Sequence, residues 1–199
     1  MSKTIDYYIC LVSPYTYLGD ALVTEIAARH GAAIRHKPME LAKIFPETGG
    51  LPLAKRAPAR QAYRLVELKR WRKHRGLPLN LRPKFFPAPE WPAAGMIIAA
   101  QDQELDCGPL VNGILTAVWA EDRDIADIDT LKAIAGKCGL DGGALLDAAE
   151  DDAVKATYAA NSEQALAAGV FGAPSYVFTN ELYWGQDRLA FLEDALASS

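Results

Sequence analysis

The amino-acid sequence predicts an α/β fold in which a small sheet is interrupted by a large all-helical insertion. Three observations carry this. A β-branched and aromatic run at residues 5–12 (IDYYICLV) is followed at once by a helix start. The middle of the chain, about a hundred residues, holds helical patterns and no strand signal. Two short strands and a helix then close the sequence. The chain has 199 residues, 50% hydrophobic and 23% charged, enough for one sizeable core. No apolar run approaches the ~20 residues that span a bilayer. The opening MSKTIDYY lacks a signal-peptide apolar core. A soluble, cytoplasmic protein with no membrane partner is expected.

Ser13-Pro14 breaks the first strand, and serine before proline is a strong helix start. From residue 15 to 29, Leu18, Leu22 and Ile26 recur at helical spacing, and Gly31 ends the helix. Residues 33–36 read as a second strand closed by Pro38, which makes a parallel βαβ unit with a right-handed crossover. Residues 45–58, with Gly49, Gly50 and Pro52, read as loop, and 59–75 as a basic helix. Five prolines make 76–92 an extended connector. Helices follow at 93–105, 110–121, 129–138, 144–151 and 153–168. Strands at 175–179 and 182–184 flank Asn180-Glu181, read as a hairpin turn. The last helix, 187–197, puts Leu189, Leu192 and Leu196 on one face. This β-α-β, helices, β-β-α order is that of a thioredoxin fold with a helical insertion. The expected division is a thioredoxin-like domain of residues 1–42 and 166–199, and an insertion of residues 43–165.

The formal charge is -4, which argues against general nucleic-acid binding. The charges are uneven, since residues 55–75 hold nine Lys or Arg and one acid, Glu67. That run is either a solvated helix face or a means of drawing in small anions. Cys10, Cys107 and Cys138 are an odd, widely spaced set, neither a disulfide framework nor a zinc signature. With no ligand spacing among His30, His36 and His74, no metal is expected.

In a thioredoxin fold the reactive group lies where the first strand meets the first helix, because unpaired N–H groups and the helix dipole stabilise anions there. Redox members put Cys-x-x-Cys at this turn. Here it reads Ser13-Pro14-Tyr15-Thr16, so disulfide exchange is not available. Cys10, within the strand, reads as core. Ser13 either caps the helix or donates a hydrogen bond to a bound thiolate, lowering its pKa. Pro174, after Ala173, opens a strand. It is either a simple turn proline or a cis-proline that leaves the Ala173 backbone free to pair with an extended peptide. Gln186-Asp187 opens the last helix, where Asp187 either caps it or takes an ammonium group.

Taken in order, LVSPYTYLG, ETGGLP, Lys69-Arg70-Trp71, Gly76-Leu77-Pro78, Phe86-Pro87, AVWAEDRDI, GVFGAPSY and YWGQDRL span essentially the whole chain. The sequence resembles the 2-hydroxychromene-2-carboxylate isomerases and kappa-class glutathione transferases, a branch of the disulfide-oxidoreductase-like thioredoxin superfamily. The resemblance implies glutathione as cofactor, an aromatic carboxylate as substrate, and a homodimer. It makes Ser13 the catalytic serine beside the glutathione sulfur. Ala173 would pair with the cysteinyl part through its backbone, and Gln186 and Asp187 would hold the γ-glutamyl end, where Ser-Asp is common. Arg60 stands for a lysine near the glycyl carboxylate. Gly50 falls where an asparagine often binds glutathione, so a side-chain bond is lost. Phe85, Lys43 and Trp91 fall near the substrate pocket. The implied reaction converts 2-hydroxychromene-2-carboxylate to trans-o-hydroxybenzylidenepyruvate by reversible thiolate addition. The alternatives are a kappa-like transferase that conjugates electrophiles, or a non-enzymatic peptide-binding module.

Overall fold

The computed structural model describes residues 3–199. The first two residues of the expected 1–42 segment lie outside it. Strand β1 (Thr4–Ile9) is followed by helix α1 (Pro14–Arg29) and strand β2 (Ala33–Pro38). The helical segment comprises α2 (Leu41–Thr48), a 3-10 turn (Leu53–Lys55), α3 (Pro58–Arg75), α4 (Ala93–Asp102), α5 (Gly108–Trp119), α6 (Ile128–Lys137), α7 (Gly142–Ala149) and α8 (Asp152–Ala167). Strands β3 (Ser175–Phe178) and β4 (Glu181–Trp184) and helix α9 (Leu189–Ala197) complete it. The strand order is β2-β1-β3-β4. β1 runs parallel to β2, with Thr4 opposite Ala33, and antiparallel to β3, with Tyr7 opposite Tyr176. The expected thioredoxin fold with its helical insertion is present.

β1 has a strand on each side, which is why its sequence is apolar almost without break. Ile5, Tyr7 and Ile9 are buried, and Tyr7 stacks on Tyr176 with ring centroids 4.8 Å apart. The expected strand 5–12 stops at Ile9. The Leu11 N–H donates to the Glu90 carboxylate instead of to a neighbouring strand, so the ladder ends there. The expected loop at 45–58 is also corrected, because α2 occupies its first part. Ile44 anchors that helix and Gly49, at φ 75°, closes it in the left-handed conformation that glycine adopts freely. The hairpin turn lies at Thr179-Asn180, one residue before the expected Asn180-Glu181. Both residues have positive φ, 49° and 64°, which suits the twist of a two-residue hairpin. The last helix begins at Leu189, two residues later than expected.

One cluster of buried side chains runs from the sheet through α1, α4 and α5. Helix α4 is apolar all round, residues 93–100 being buried, because it is wedged against β2, α7 and α8. Trp119 of α5 is fully buried and packs on Phe86 of the connector, ring centroids 5.2 Å apart. A carboxylate lies inside this core. Asp20 of α1 accepts from Asn112 Nδ2 at 3.0 Å and from the Tyr7 hydroxyl at 3.4 Å. Burial pushes its pKa from 3.8 up to about 6, against these two hydrogen bonds.

Gly19 lets α1 approach the turn between β4 and α9. A Cβ there would lie 2.8 Å from Gln186 Cβ and 2.9 Å from the Tyr176 hydroxyl oxygen. Gly19→Ala would normally gain helix propensity. Here it is expected to lose about 1–3 kcal/mol, since neither neighbour has room to move; urea unfolding measures this. For Asp20, a folded pKa above the unfolded value means its contribution is full below pH 3.8 and is lost as pH rises to about 6. Asp20→Asn keeps an oxygen for Asn112 and abolishes this loss. The variant is therefore expected to gain about 3 kcal/mol on the wild type between acid and neutral pH, read from unfolding curves across that range.

Candidate active site

The turn from β1 into α1 is built by Ser13. Its backbone is extended (φ -84°, ψ 123°), Pro14 supplies the first helical position, and the Thr16 N–H donates to Ser13 Oγ at 3.3 Å. The hydroxyl in turn lies 3.4 Å from the Ala173 carbonyl oxygen, to which it donates. Ser13 thus joins the helix N-terminus to the loop before β3. It is 8% exposed. Thr16, at the place of a second redox cysteine, is fully buried and its hydroxyl has no partner among the described residues. Of the two, only Ser13 keeps any exposure.

The Ala173-Pro174 peptide is cis, as are Phe86-Pro87 and Trp91-Pro92. Ala173 is part-exposed, and its N–H has no hydrogen-bond partner among the described residues. Ser175 Oγ donates to the Gly172 carbonyl at 2.7 Å and holds the loop on its other side. A Cβ on Gly172 would meet Trp184 Nε1 at 2.8 Å. The edge offered by Ala173 therefore sits beside Ser13, with a free N–H.

Gln186 and Asp187 differ sharply. Gln186 is 2% exposed. Its carboxamide oxygen accepts from Arg75 Nε at 3.2 Å and from an Arg75 terminal nitrogen at 2.9 Å, and the same nitrogen donates to its carbonyl at 2.8 Å. Asp187 is exposed, paired with Arg188 at 2.9 Å, and its side chain caps no helix. Arg75 was not singled out by the sequence, where it is one of nine similar charges.

Arg60 is exposed in the first turn of α3. One turn on, Arg64 is part-buried, its guanidinium 5.5 Å from the Phe86 ring centroid and 5.8 Å from that of Trp119. Burial raises the Tyr15 hydroxyl above its ordinary pKa, and Arg64 and Arg56 oppose this. Arg64 of α3 and Arg56, just ahead of that helix, thus act on the first turn of α1, and nothing in the charge run set them apart. Gly50 offers no side chain, and its space is filled, since a Cβ there would collide with the Phe45 ring. Phe45 occupies the room an asparagine would need.

The three substrate-pocket residues are not gathered into one wall. Lys43 is exposed and bonded to Glu40 at 2.6 Å. Phe85 lies under Lys84, 4.9 Å from its ammonium. Trp91 packs on Tyr158, ring centroids 5.5 Å apart. A cavity of about 280 Å³ connects two of these neighbourhoods, being lined by Glu40 and Tyr158 together with Cys10, Val12 and Glu90. Cys10 is buried, and its thiol donates to Glu90 at 3.3 Å. Burial, then the Glu90 charge, push that thiol well above its ordinary pKa, so it is no nucleophile. Glu90 was missed by sequence reading, which saw only a proline-rich connector there.

Residues 4–197 match the family of the DSBA-like thioredoxin domain. The 2-hydroxychromene-2-carboxylate isomerase of Sphingobium xenophagum is 31% identical over 198 residues, 98% of this chain and 99% of the relative. The solved structure of a 2-hydroxychromene-2-carboxylate isomerase superposes with a TM-score of 0.80 at 28% identity, covering 98% of this chain and 95% of that one. The cytosolic disulfide reductase DsbM of Pseudomonas aeruginosa, solved with GSH, shares the fold at a TM-score of 0.70 and 19% identity, over 98% of this chain and 99% of that one. With a family match over nearly its whole length and a relative of equal length at 31% identity, the chain belongs to the DsbA-like thioredoxin-domain family, in the group of the 2-hydroxychromene-2-carboxylate isomerases.

Proposed function

We propose that this protein is a glutathione-dependent isomerase of 2-hydroxychromene-2-carboxylate or a related aromatic-degradation intermediate, with Ser13 as its catalytic residue. The observation that carries the reading is the Ser13 hydroxyl at the N-terminus of α1, 3.4 Å from the Ala173 carbonyl. A tripeptide fits these residues. The unpaired N–H of Ala173 and the carbonyl beside it offer strand-like pairing to a cysteinyl backbone. Asp187, exposed, offers a carboxylate to an ammonium group. Arg60 offers a cation to a terminal carboxylate, and Arg56 and Arg64 add a positive field at Tyr15. Gln186, held by Arg75, fixes the turn that presents Asp187. Gly50 contributes no side-chain bond.

When bound, glutathione would supply a thiolate that adds reversibly to a conjugated substrate, making a double bond single and free to rotate. The chain's own part is to favour the ionised sulfur. Ser13 turns its hydroxyl from the Ala173 carbonyl toward the anion, while the helix N-terminus adds its dipole and unpaired N–H groups. Trp91 with Tyr158, Phe85 and Lys43 would line the aromatic and carboxylate ends of the substrate. A homodimer in the cytoplasm completes the reading.

Ser13→Ala removes the donor. A hydrogen bond to a charged group is worth about 1.5–3 kcal/mol, so turnover is expected to fall roughly 10- to 100-fold. The lost cap also costs about 1 kcal/mol of stability. Isomerisation is followed by absorbance and total thiol is assayed in parallel. Turnover with thiol conserved supports the isomerase, whereas thiol consumed in step with an electrophile indicates the transferase. Full turnover by Ser13→Ala contradicts the assignment.

A further inference from the structure

The cavity beside the β1–α1 turn contains an unusual set of groups. Its walls are Cys10, Val12, Glu40, Leu41, Ala42, Ala88, Glu90 and Tyr158. Val12, the residue before Ser13, lines it, which puts the cavity beside the backbone of the β1–α1 turn. At about 280 Å³ it is near the lower end of the ~300–1,000 Å³ range of ligand pockets, a size suited to an arene with a short side chain. Tyr158, backed by Trp91, gives it an aromatic wall. No basic side chain lines it among the described residues, and two carboxyl groups do.

Glu90 is the polar centre of this cavity. It accepts from the Leu11 N–H and, at 3.3 Å, from the Cys10 thiol. The groups facing it are the Cys10 thiol from the turn after β1, Glu40 before α2, and the Tyr158 hydroxyl from α8. Glu40 in turn engages Lys43 at 2.6 Å. Burial raises Glu90 from 4.5 to about 7, the hydrogen bonds from Leu11, Cys10 and Val12 oppose this, and Glu40 adds to it. Burial likewise raises Tyr158 and Cys10, which stay protonated at neutral pH. A carboxyl has about four acceptor sites, and the loop donors fill only part of them. Glu90 lines the cavity, so a proton on the remaining face would point a donor into it.

We propose that this cavity receives the keto end of the organic substrate and that protonated Glu90 donates a hydrogen bond to its carbonyl oxygen. The inference rests on the isomerase reading and adds to it a residue that discriminates by its own charge. A donor at that oxygen stabilises negative charge as it develops there. Deprotonated, Glu90 would repel both the carbonyl dipole and the substrate's carboxylate. Uptake of the keto acid is therefore coupled to one proton.

The test is a binding measurement without glutathione, so that no turnover intervenes. trans-o-Hydroxybenzylidenepyruvate, whose absorbance responds to hydrogen bonding at its carbonyl, is titrated into the protein from about pH 5.5 to about pH 8.5. Wild-type affinity should fall about tenfold per pH unit above the Glu90 pKa, with the bound-state absorbance shift lost in parallel. Glu90→Gln, which keeps an oxygen for Leu11, should bind with no such slope. A wild-type affinity that does not change with pH overturns the proposal, whatever the variant does, and so does a slope that persists in Glu90→Gln. Failure of the keto acid to bind at any pH overturns the isomerase reading as well, and so separates the two.

Discussion

The site depends on one hydroxyl that bridges two segments far apart in sequence. Ser13 Oγ accepts from the Thr16 N–H and donates to the Ala173 carbonyl, across 160 residues of chain. The first bond belongs to any helix cap. The second ties the tip of α1 to the loop that opens β3, and places an unpaired backbone N–H beside a polarised oxygen. A helix N-terminus without that loop would bind small anions indifferently. The loop without the helix would pair with any extended peptide. Together they suit the thiolate tripeptide of the proposed function.

Three contacts hold this arrangement. Glu90 takes the Leu11 N–H and stops β1 at Ile9, which frees Cys10 to Ser13 to form the turn. Arg75, at the end of α3, grips Gln186 and docks the β4–α9 turn onto the helical insertion. Gly19 lets that turn come against α1. Two of the three come from the insertion. The helices therefore do more than enclose the sheet, since they fix the two turns from which the site is made.

Much of this is legible in the residues. Ser13-Pro14 announces the helix start, and the apolar run before it announces a central strand. GAPS and the short strands after it announce the return to the sheet. What is not legible has physical causes. Gly49, Gly50 and Pro52 read as loop, although Ile44 anchors a helix just before them. The Phe45 ring occupies the space above Gly50, a relation between side chains that no spacing rule exposes. Glu90 lies between prolines in a connector, and only the fold brings it under the turn after β1. Arg64 and Arg75 look like their neighbours in a charge run. They become distinct only once α3 is docked, one over Phe86 and Trp119, the other on Gln186.

On the proposed function, the exchange of sulfur for oxygen at Ser13 makes the protein borrow its reactive atom. Its two buried thiols cannot serve. Cys10 faces a carboxyl in the core, and Cys107, buried against His36, is raised by burial to about 11. The most direct measurement is the thiol pKa of glutathione bound to the wild-type protein, from the ultraviolet thiolate band as pH is varied. The account predicts a value about one to two units below that of free glutathione, as a charge-assisted hydrogen bond at a helix N-terminus supplies. A bound thiol that titrates as it does in water would contradict it.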